Sequence, residues 1–318
     1  MKKWLKSVGI SAAALVLAAG CSTEQPGSEN DGEDTGTDEG SEEAAEGDVT
    51  IGLSVSTLNN PFFVTLADGA EAAAEEEGVN IEVADAQDGS ASQVSDIEDF
   101  IQQGVDVLLI NPVDSSAVAS AIETANSEDI PVITVDRSAE GGEVVSHIAS
   151  DNVAGGEMAA EHIVEELGGS GNVIELTGIP GSSAANERGE GFHNIVDEED
   201  GIEVVANQTA NFNRSEGLTV TENILQSTDE VDALFAHNDE MALGAVEALE
   251  AAGMEDVMVV GFDAIDDAVG AVEEGTMAAT IAQQPQVIGE EAVNAAISVD
   301  SGEEIEDSIP VELELITE

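Results

Sequence analysis

The sequence predicts an α/β protein made of two doubly wound parallel-sheet lobes. Two observations carry this expectation. From Asp48 onward, short apolar runs alternate with amphipathic, alanine-rich segments at the spacing of βα units. The alternation passes through two series of five strands with no long structureless loop between them, which suits roughly 270 residues shared by two layered units.

Residues 1–20 combine Lys2, Lys3 and Lys6 with an apolar run from Val8 to Ala19, too short for a comfortable bilayer span, and read as an export signal. The run closes in Leu17-Ala18-Ala19-Gly20-Cys21, which resembles the bacterial lipobox: small residues before a cysteine that is lipidated and becomes the mature N-terminus. Lipidation at Cys21 would hold the protein on the outer face of the cytoplasmic membrane. Cys21 is also the only cysteine, so no intramolecular disulfide can form. Residues 21–47 hold ten acids, no bases and no aromatics, a composition unable to bury enough apolar surface to order itself. They read as a disordered tether with an r.m.s. reach of roughly 28 Å, more where its charges repel.

The first series of strands is Val49–Val55, Asn80–Ala84, Asp106–Ile110, Pro131–Thr134 and Val144–Ala149. The second is Asn172–Leu176, Glu203–Asn207, Ala233–Ala236, Val257–Val260 and Ala279–Ala282. Between strands, segments such as Ser115–Ser127 and Glu240–Ala252 carry helical periodicity, with Asp239 placed to cap the latter.

After removal of the signal the chain keeps no lysine. Arg137, Arg188 and Arg214, three cations against 69 acids, leave a formal charge of −66. Such a charge excludes nucleic acid and anionic lipid as electrostatic partners. It is tolerable where salt screens it, the Debye length falling to about 3 Å at molar salt, and the acidity reads as adaptation to brine.

In open α/β sheets ligands bind beyond the carboxyl ends of the strands, so the residues that follow each run matter most. They are Ser56-Thr57-Leu58-Asn59-Asn60-Pro61-Phe62-Phe63, Asn111-Pro112-Val113-Asp114, Asp136-Arg137 and Ser150-Asp151-Asn152 in the first series. The second series gives Arg188, Phe212, Asn238-Asp239-Glu240, Phe262-Asp263 and Gln283-Gln284. Amides, carboxylates, arginines and phenylalanines thus recur at strand ends. A sugar asks for that chemistry, because its hydroxyls donate and accept while its C–H faces suit flat apolar rings.

Each residue also has a plainer reading. Asn60 can start a helix before Pro61, Asn111 can simply precede Pro112, and an arginine can be the structural partner of a buried carboxylate, an alternative that weighs equally for Arg214. Phe100, Phe192, Phe235 and Phe262 read as core, whereas Phe62, Phe63 and Phe212 lie among polar turn residues and suit stacking.

The segments STLNNPFF, INPVDS, PVITVDR, GEVVSHIASDN, NERGEGF, FAHNDEMALGA, VVGFD and TIAQQP closely resemble the D-ribose-binding branch of the periplasmic-binding-protein family of bacterial ABC importers. The resemblance runs from Asp48 to the C-terminus. It implies the type I fold of that family, two lobes joined by a three-crossing hinge, with residues 48–150 plus 284–312 in the N-terminal lobe and 151–283 plus 313–318 in the C-terminal one. It also implies sugar contacts from Asn60, Phe62, Phe63, Asn111, Asp136 and Arg137 on one side and Arg188, Phe212, Asn238, Asp263 and Gln283 on the other, with Phe62 or Phe63 facing Phe212 across the ring. The implied partners are D-ribose and the permease subunits of an ABC importer, with the membrane reached through the lipid anchor alone and the protein a monomer. Three departures stand out: His237 where glutamine is expected, and Asn211 and Asn213 flanking Phe212 where acids are usual.

Other classes fare worse. Without lysine there is no Walker A loop, and Gly189-Glu190-Gly191 lacks the third glycine of a dinucleotide fingerprint. His147, His162, His193 and His237 show no metal-type pairing in sequence, and His237 beside Asn238 and Asp239 reads as a lone histidine behind the site. Neither catalysis, a cofactor nor a metal is expected. A sugar-sensing repressor core would need DNA-binding helices and a charge that does not repel DNA. Within the binding proteins, allose, another pentose or a furanosyl signalling molecule remain alternatives to ribose.

Overall fold

All ten strands expected from the sequence are found in the computed structural model, which describes residues 49–228 and 230–317. The export signal at 1–20, the lipidation site Cys21 and the tether at 21–47 lie outside the described residues. The first half runs β1 (Thr50–Val55), α1 (Pro61–Glu77), β2 (Asn80–Asp85), α2 (Ser90–Gln103), β3 (Val107–Ile110), α3 (Ala119–Ser127), β4 (Val132–Val135) and β5 (Ser146–Ser150). Then come α4 (Asn152–Glu166), β6 (Gly171–Thr177), α5 (Ser183–Val196), β7 (Ile202–Thr209), α6 (Arg214–Leu225), β8 (Ala233–Ala236), α7 (Asp239–Ala252), β9 (Met258–Asp263), α8 (Asp266–Glu274) and β10 (Ala279–Ala282). The chain ends with α9 (Pro285–Asp300), β11 (Ser308–Val311) and β12 (Glu314–Thr317).

The strands form two six-stranded sheets, ordered β11-β5-β4-β3-β1-β2 and β12-β10-β9-β8-β6-β7. The chain passes from one sheet to the other three times: after β5, after β10 and after β11. The first sheet is parallel throughout, whereas β12 joins the second antiparallel to β10. That antiparallel edge and the short β11 are the two strands the sequence reading lacked. Both are four-residue edge strands whose burial is partial, and Pro310 interrupts the donors of β11, so neither shows the continuous apolar run of an inner strand.

Inner strands such as β3, β4 and β8 are buried on both faces, which fits helices packed on both sides of each sheet. Helices α2 and α3 cover one face of the first sheet over Ile97, Phe100, Leu108 and Ile122, while α1 and α9 pack together on the other. In the second sheet α4 and α5 close over Phe192, Phe235 and Phe262, with α6 and α7 opposite. Three of these pairs meet at glycines: α1 and α9 at Gly69 and Gly289, α4 and α5 at Gly156 and Gly191, and α6 and α7 at Gly217 and Gly244. A Cβ at Gly191 would overlap the Val153 carbonyl, and one at Gly156 would overlap the carbonyl of Arg188.

Two local expectations are corrected. The N-cap of α7 is Asn238, whose side chain accepts from the Met241 N–H; Asp239 is the first helical residue and turns its carboxylate inward instead. Helix α3 begins at Ala119, not Ser115, because the Asp114 carboxylate takes the N–H groups of Ser116 and Ala117 and holds them in a turn.

The glycine contacts between α4 and α5 yield a stability prediction. Gly191→Ala should destabilise the protein by about 1–3 kcal/mol, because the helices cannot separate without moving α5 off its sheet. Chemical unfolding in molar salt checks this; an unchanged midpoint would show that the approach of α4 to α5 is not a constraint.

Candidate functional site

The order of both sheets reverses between a first strand and its neighbours, at β1/β3 and at β6/β8, and such switch points open crevices at the carboxyl ends of the strands. The two crevices face each other. Between them is a small cavity of about 10 Å³, nearly filled by side chains, walled by Asn60, Phe62, Phe63, Asp136, Arg137, Ala184, Arg188, Phe212, Asn238 and Asp263. A larger hollow adjoins the site at the same carboxyl ends, bordered by Phe62, Asp263 and Gln283, and others lie at the opposite, amino ends of the strands, for example that bordered by Asp106, Pro131 and Val145, where no convergent set of buried polar groups lines it.

From the first sheet, Asn60 sits at the N-cap of α1, its Oδ1 accepting from the Phe62 N–H at 2.9 Å. It therefore does start the helix before Pro61, and it lines the cavity as well. Phe62 and Phe63 follow in the first turn, edge to face at 5.1 Å. Asp136 adopts φ of +60° at the end of β4, and Arg137 comes next. The Arg137 guanidinium lies between two rings, 5.0 Å from the centroid of Phe63 and 5.0 Å from that of Phe212. The ring-facing-ring arrangement expected from the sequence is thus filled by a cation.

From the second sheet, Phe212 and Asn211 hold φ of +55° and +51°, and the Phe212 ring lies so close on Gly178 that no side chain fits there. Arg188 donates from Nε to Asn152 Oδ1 at 2.8 Å and from a terminal nitrogen to the His237 carbonyl, and it lies 3.8 Å from the centre of the Phe262 ring. Its guanidinium is 3.5 Å from Asp263 Oδ1. Asn238 caps α7 and donates to the Phe212 carbonyl at 3.4 Å.

Nine of the eleven sequence-predicted residues therefore share the cavity wall. Asn111 and Gln283 stand behind it. Asn111 accepts from the Ser56 N–H and donates to the Val135 carbonyl and to Asp136 Oδ2, tying three strand ends together. Gln283 donates to Asp263 Oδ1 at 2.9 Å. Sequence reasoning missed Gln93, a buried helical glutamine that clamps the loop after β3 by bonding the Asn111 carbonyl and the Val113 N–H, each at 2.8 Å. It also gave no role to Asn152, although that residue stood in a noted strand-end segment. Arg214, by contrast, does not line the wall and pairs with Glu240 and Asp267 instead.

The charges in the cavity balance: two buried arginines, two buried aspartates. Burial pulls the Arg137 guanidinium below its ordinary range, with Asp136 opposing the shift and Arg188 adding to it. Burial likewise raises the Asp263 carboxyl to about 7, against the pull of Arg188. Asp136 Oδ1, Arg137 Nε and Gln283 Oε1 are buried with no hydrogen-bond partner in the protein. Polar atoms so placed each carry a desolvation penalty of about 1–3 kcal/mol that a polar ligand can relieve.

Across the cleft the lobes also touch directly. The Ser115 N–H donates to the Gly181 carbonyl at 3.0 Å and the Ser138 N–H to Ser183 Oγ at 2.8 Å. Two lobes closed over an enclosed, charge-balanced polar cavity define a protein that surrounds a small neutral polar molecule.

The family follows from comparison with known proteins. A model of the periplasmic binding protein domain matches residues 51–304, and this chain belongs to the periplasmic binding protein family. The ribose import binding protein of Bacillus subtilis (strain 168) is 52% identical over 269 residues, covering 85% of this chain and 87% of that one. Among solved structures, an ABC-transporter solute-binding protein from Bacillus halodurans C-125 with bound myo-inositol superposes with a TM-score of 0.82 at 35% identity, covering 86% of this chain and 96% of its own. One from Actinobacillus succinogenes 130z with bound D-allose gives 0.79 at 32% identity, covering 85% and 97%. These relatives are substrate-binding components of importers, and the chain is a binding protein of that kind, not an enzyme.

The raised Asp263 carboxyl sets a pH dependence. A carboxyl whose folded pKa lies above its unfolded 3.8 binds more protons folded than unfolded, so it subtracts stability as pH rises from about 4 to 7. Asp263→Asn should therefore raise the melting temperature of the sugar-free protein at pH 8, with the gain shrinking towards pH 5. A gain that is constant with pH would show that Asp263 does not titrate in this window.

Proposed function

We propose that the chain is the exported solute-binding protein of an ABC importer, that it encloses D-ribose between its lobes, and that Cys21 tethers it by lipid to the outer face of the cytoplasmic membrane. The observation that carries the reading is the balanced set of buried Asp136, Arg137, Arg188 and Asp263 around a cavity with unpartnered polar atoms. A phosphorylated or carboxylated ligand would unbalance those charges, whereas a neutral polyol supplies donors and acceptors to all four. Asn60 and Asn238 complete the hydroxyl contacts, and Asn111 and Gln283 act on the sugar through Asp136 and Asp263, to which they donate. Phe62, Phe63 and Phe212 cover the C–H faces of the sugar once the Arg137 guanidinium withdraws from between them.

The similarity to a ribose import binding protein favours the pentose. A second reading, allose, another pentose or a furanosyl signalling molecule, is favoured by the solved relatives with bound myo-inositol and D-allose. In either case residues 48–150 plus 284–312 and 151–283 plus 313–318 act as the two lobes, and bending at the three crossings admits the sugar. The closed rims then meet the permease. The protein works as a monomer, and its acidity suits concentrated salt.

Calorimetric titration of the mature domain in molar salt tests the proposal, with D-ribose set against allose, xylose, arabinose and galactose. One-to-one binding of D-ribose supports it; heat from another sugar alone keeps the class and overturns the specificity, and no heat from any sugar in a folded sample overturns sugar binding itself. Arg137→Ala or Asp263→Ala should abolish binding while far-UV circular dichroism is unchanged, and retained affinity in both would sink the site assignment. Ser183→Ala touches the closure and not the cavity wall. It should speed sugar dissociation by roughly threefold to tenfold, the loss of one hydrogen bond present only when the lobes are shut; an unaltered rate would remove this contact from the closing energy.

A further inference from the structure

His237, the residue that departs from the family pattern, is not alone behind the site. Its ring is fully buried, and its Nε2 meets Glu175 Oε1 at 2.9 Å. Glu175, in the middle of β6, is fully buried too, and its other oxygen accepts from His193 Nε2 at 3.0 Å and from the Asn207 amide. A carboxylate in a sheet interior is expensive unless paired, and apolar residues of similar volume in its place are often neutral or stabilising. Plain stability therefore does not account for it.

What the cluster touches does. The His237 carbonyl accepts from Arg188, and the next residue, Asn238, caps α7 on the cavity wall. Gly189, directly after Arg188, faces the cluster: a Cβ there would lie 3.3 Å from His237 Cε1 and 3.5 Å from Glu175 Oε1. Resting on the sugar-binding reading above, we propose that Glu175, through His237, is the strut that positions Arg188 and Asn238 for the ligand, with His193 and Asn207 bracing the carboxylate.

The protonation states fit a fixed strut. Burial pushes the Glu175 carboxyl up, but the hydrogen bonds from His237 and His193 and the charge on His193 more than offset it and leave the group ionised. Burial holds the His237 imidazole below its usual range despite Glu175, and its Nδ1 is buried without a partner, so the neutral ring donates from Nε2. Burial lowers the His193 imidazole, but the bonds and charges of Asp197 and Glu175 together raise it above its usual range, with Asp197 Oδ1 3.1 Å from its other nitrogen. One end of the strut is thereby pinned to α5, the helix that carries Arg188.

The test measures D-ribose affinity in the mature domain for His237→Leu, His237→Gln and Glu175→Gln, with and without Arg188→Lys. Leucine removes the donor and should weaken binding by about tenfold, the loss expected from one buried polar group left unpaired. Glutamine can donate from Nε2 to the same carboxylate oxygen and should recover most of that loss. The Arg188→Lys penalty should also be smaller in the His237→Leu background than in the wild type, a coupling that mere destabilisation would not produce. If His237→Leu does not fold, Glu175→Gln takes its place in the cycle. Equal losses for leucine and glutamine, or an Arg188→Lys penalty independent of background, would overturn the proposal. Failure of the folded wild-type domain to bind D-ribose would instead overturn the sugar-binding reading.

Discussion

A guanidinium shut between two phenyl rings has no water to solvate it, and the need to balance the charge of Arg137 shapes everything around it. A second cation, Arg188, faces the same cavity, so Asp136 and Asp263 must stand close by on opposite lobes. Removing Arg137 would leave Asp136 as an uncompensated buried charge, at a cost of about 3–5 kcal/mol. The balance also selects the ligand. Anything carrying net charge would break it, while a neutral molecule rich in hydroxyls can bond to all four groups at once.

Holding those side chains in place falls to the backbone. Asp136, Asn211, Phe212, Asp263 and Ala264 all have positive φ, a conformation that non-glycine residues seldom adopt and that costs about 1–3 kcal/mol each. Strain of this kind persists only where the surroundings over-determine it. Beneath Asp136 and Asp263 the strands β4 and β9 are buried on both faces, and Asn111 and Thr280 bond the turns that follow them. The energy for orienting the site thus comes from the sheets, and the ligand need not supply it.

This division explains what was legible in the sequence. Inner strands declare themselves as apolar runs, and residues just past them are placed by topology, so Asp136, Arg137, Asn238 and Asp263 could be read before any coordinates. Edge strands β11 and β12 are short, half-exposed and flanked by acids, so they look like a loop. Supporting residues are hidden for a different reason. Gln93 sits within an amphipathic helix and Glu175 within a strand, where each reads as an ordinary polar position, and only the tertiary contacts show that both are buried. Asp239 illustrates the same limit: its type suits a cap, yet the carboxylate turns inward to Thr280 Oγ1 and the Ile265 N–H.

The few cations bear on the acidic surface as well. With no lysine after residue 20, two arginines go to the cavity and the third, Arg214, bridges Glu240 and Asp267 in the first turns of α7 and α8. Among the described residues, no helix has a lysine or arginine in its last turn, where a positive charge would offset the helix dipole. At the end of α1, Glu75, Glu76 and Glu77 stand there instead, each unfavourable by about 0.3–1 kcal/mol at low ionic strength. A Debye length of about 3 Å at molar salt removes most of that penalty, but leaves the buried pairs at Arg137 and Arg188 almost untouched. Salt can therefore decide whether the lobes fold without altering how the folded site chooses its ligand.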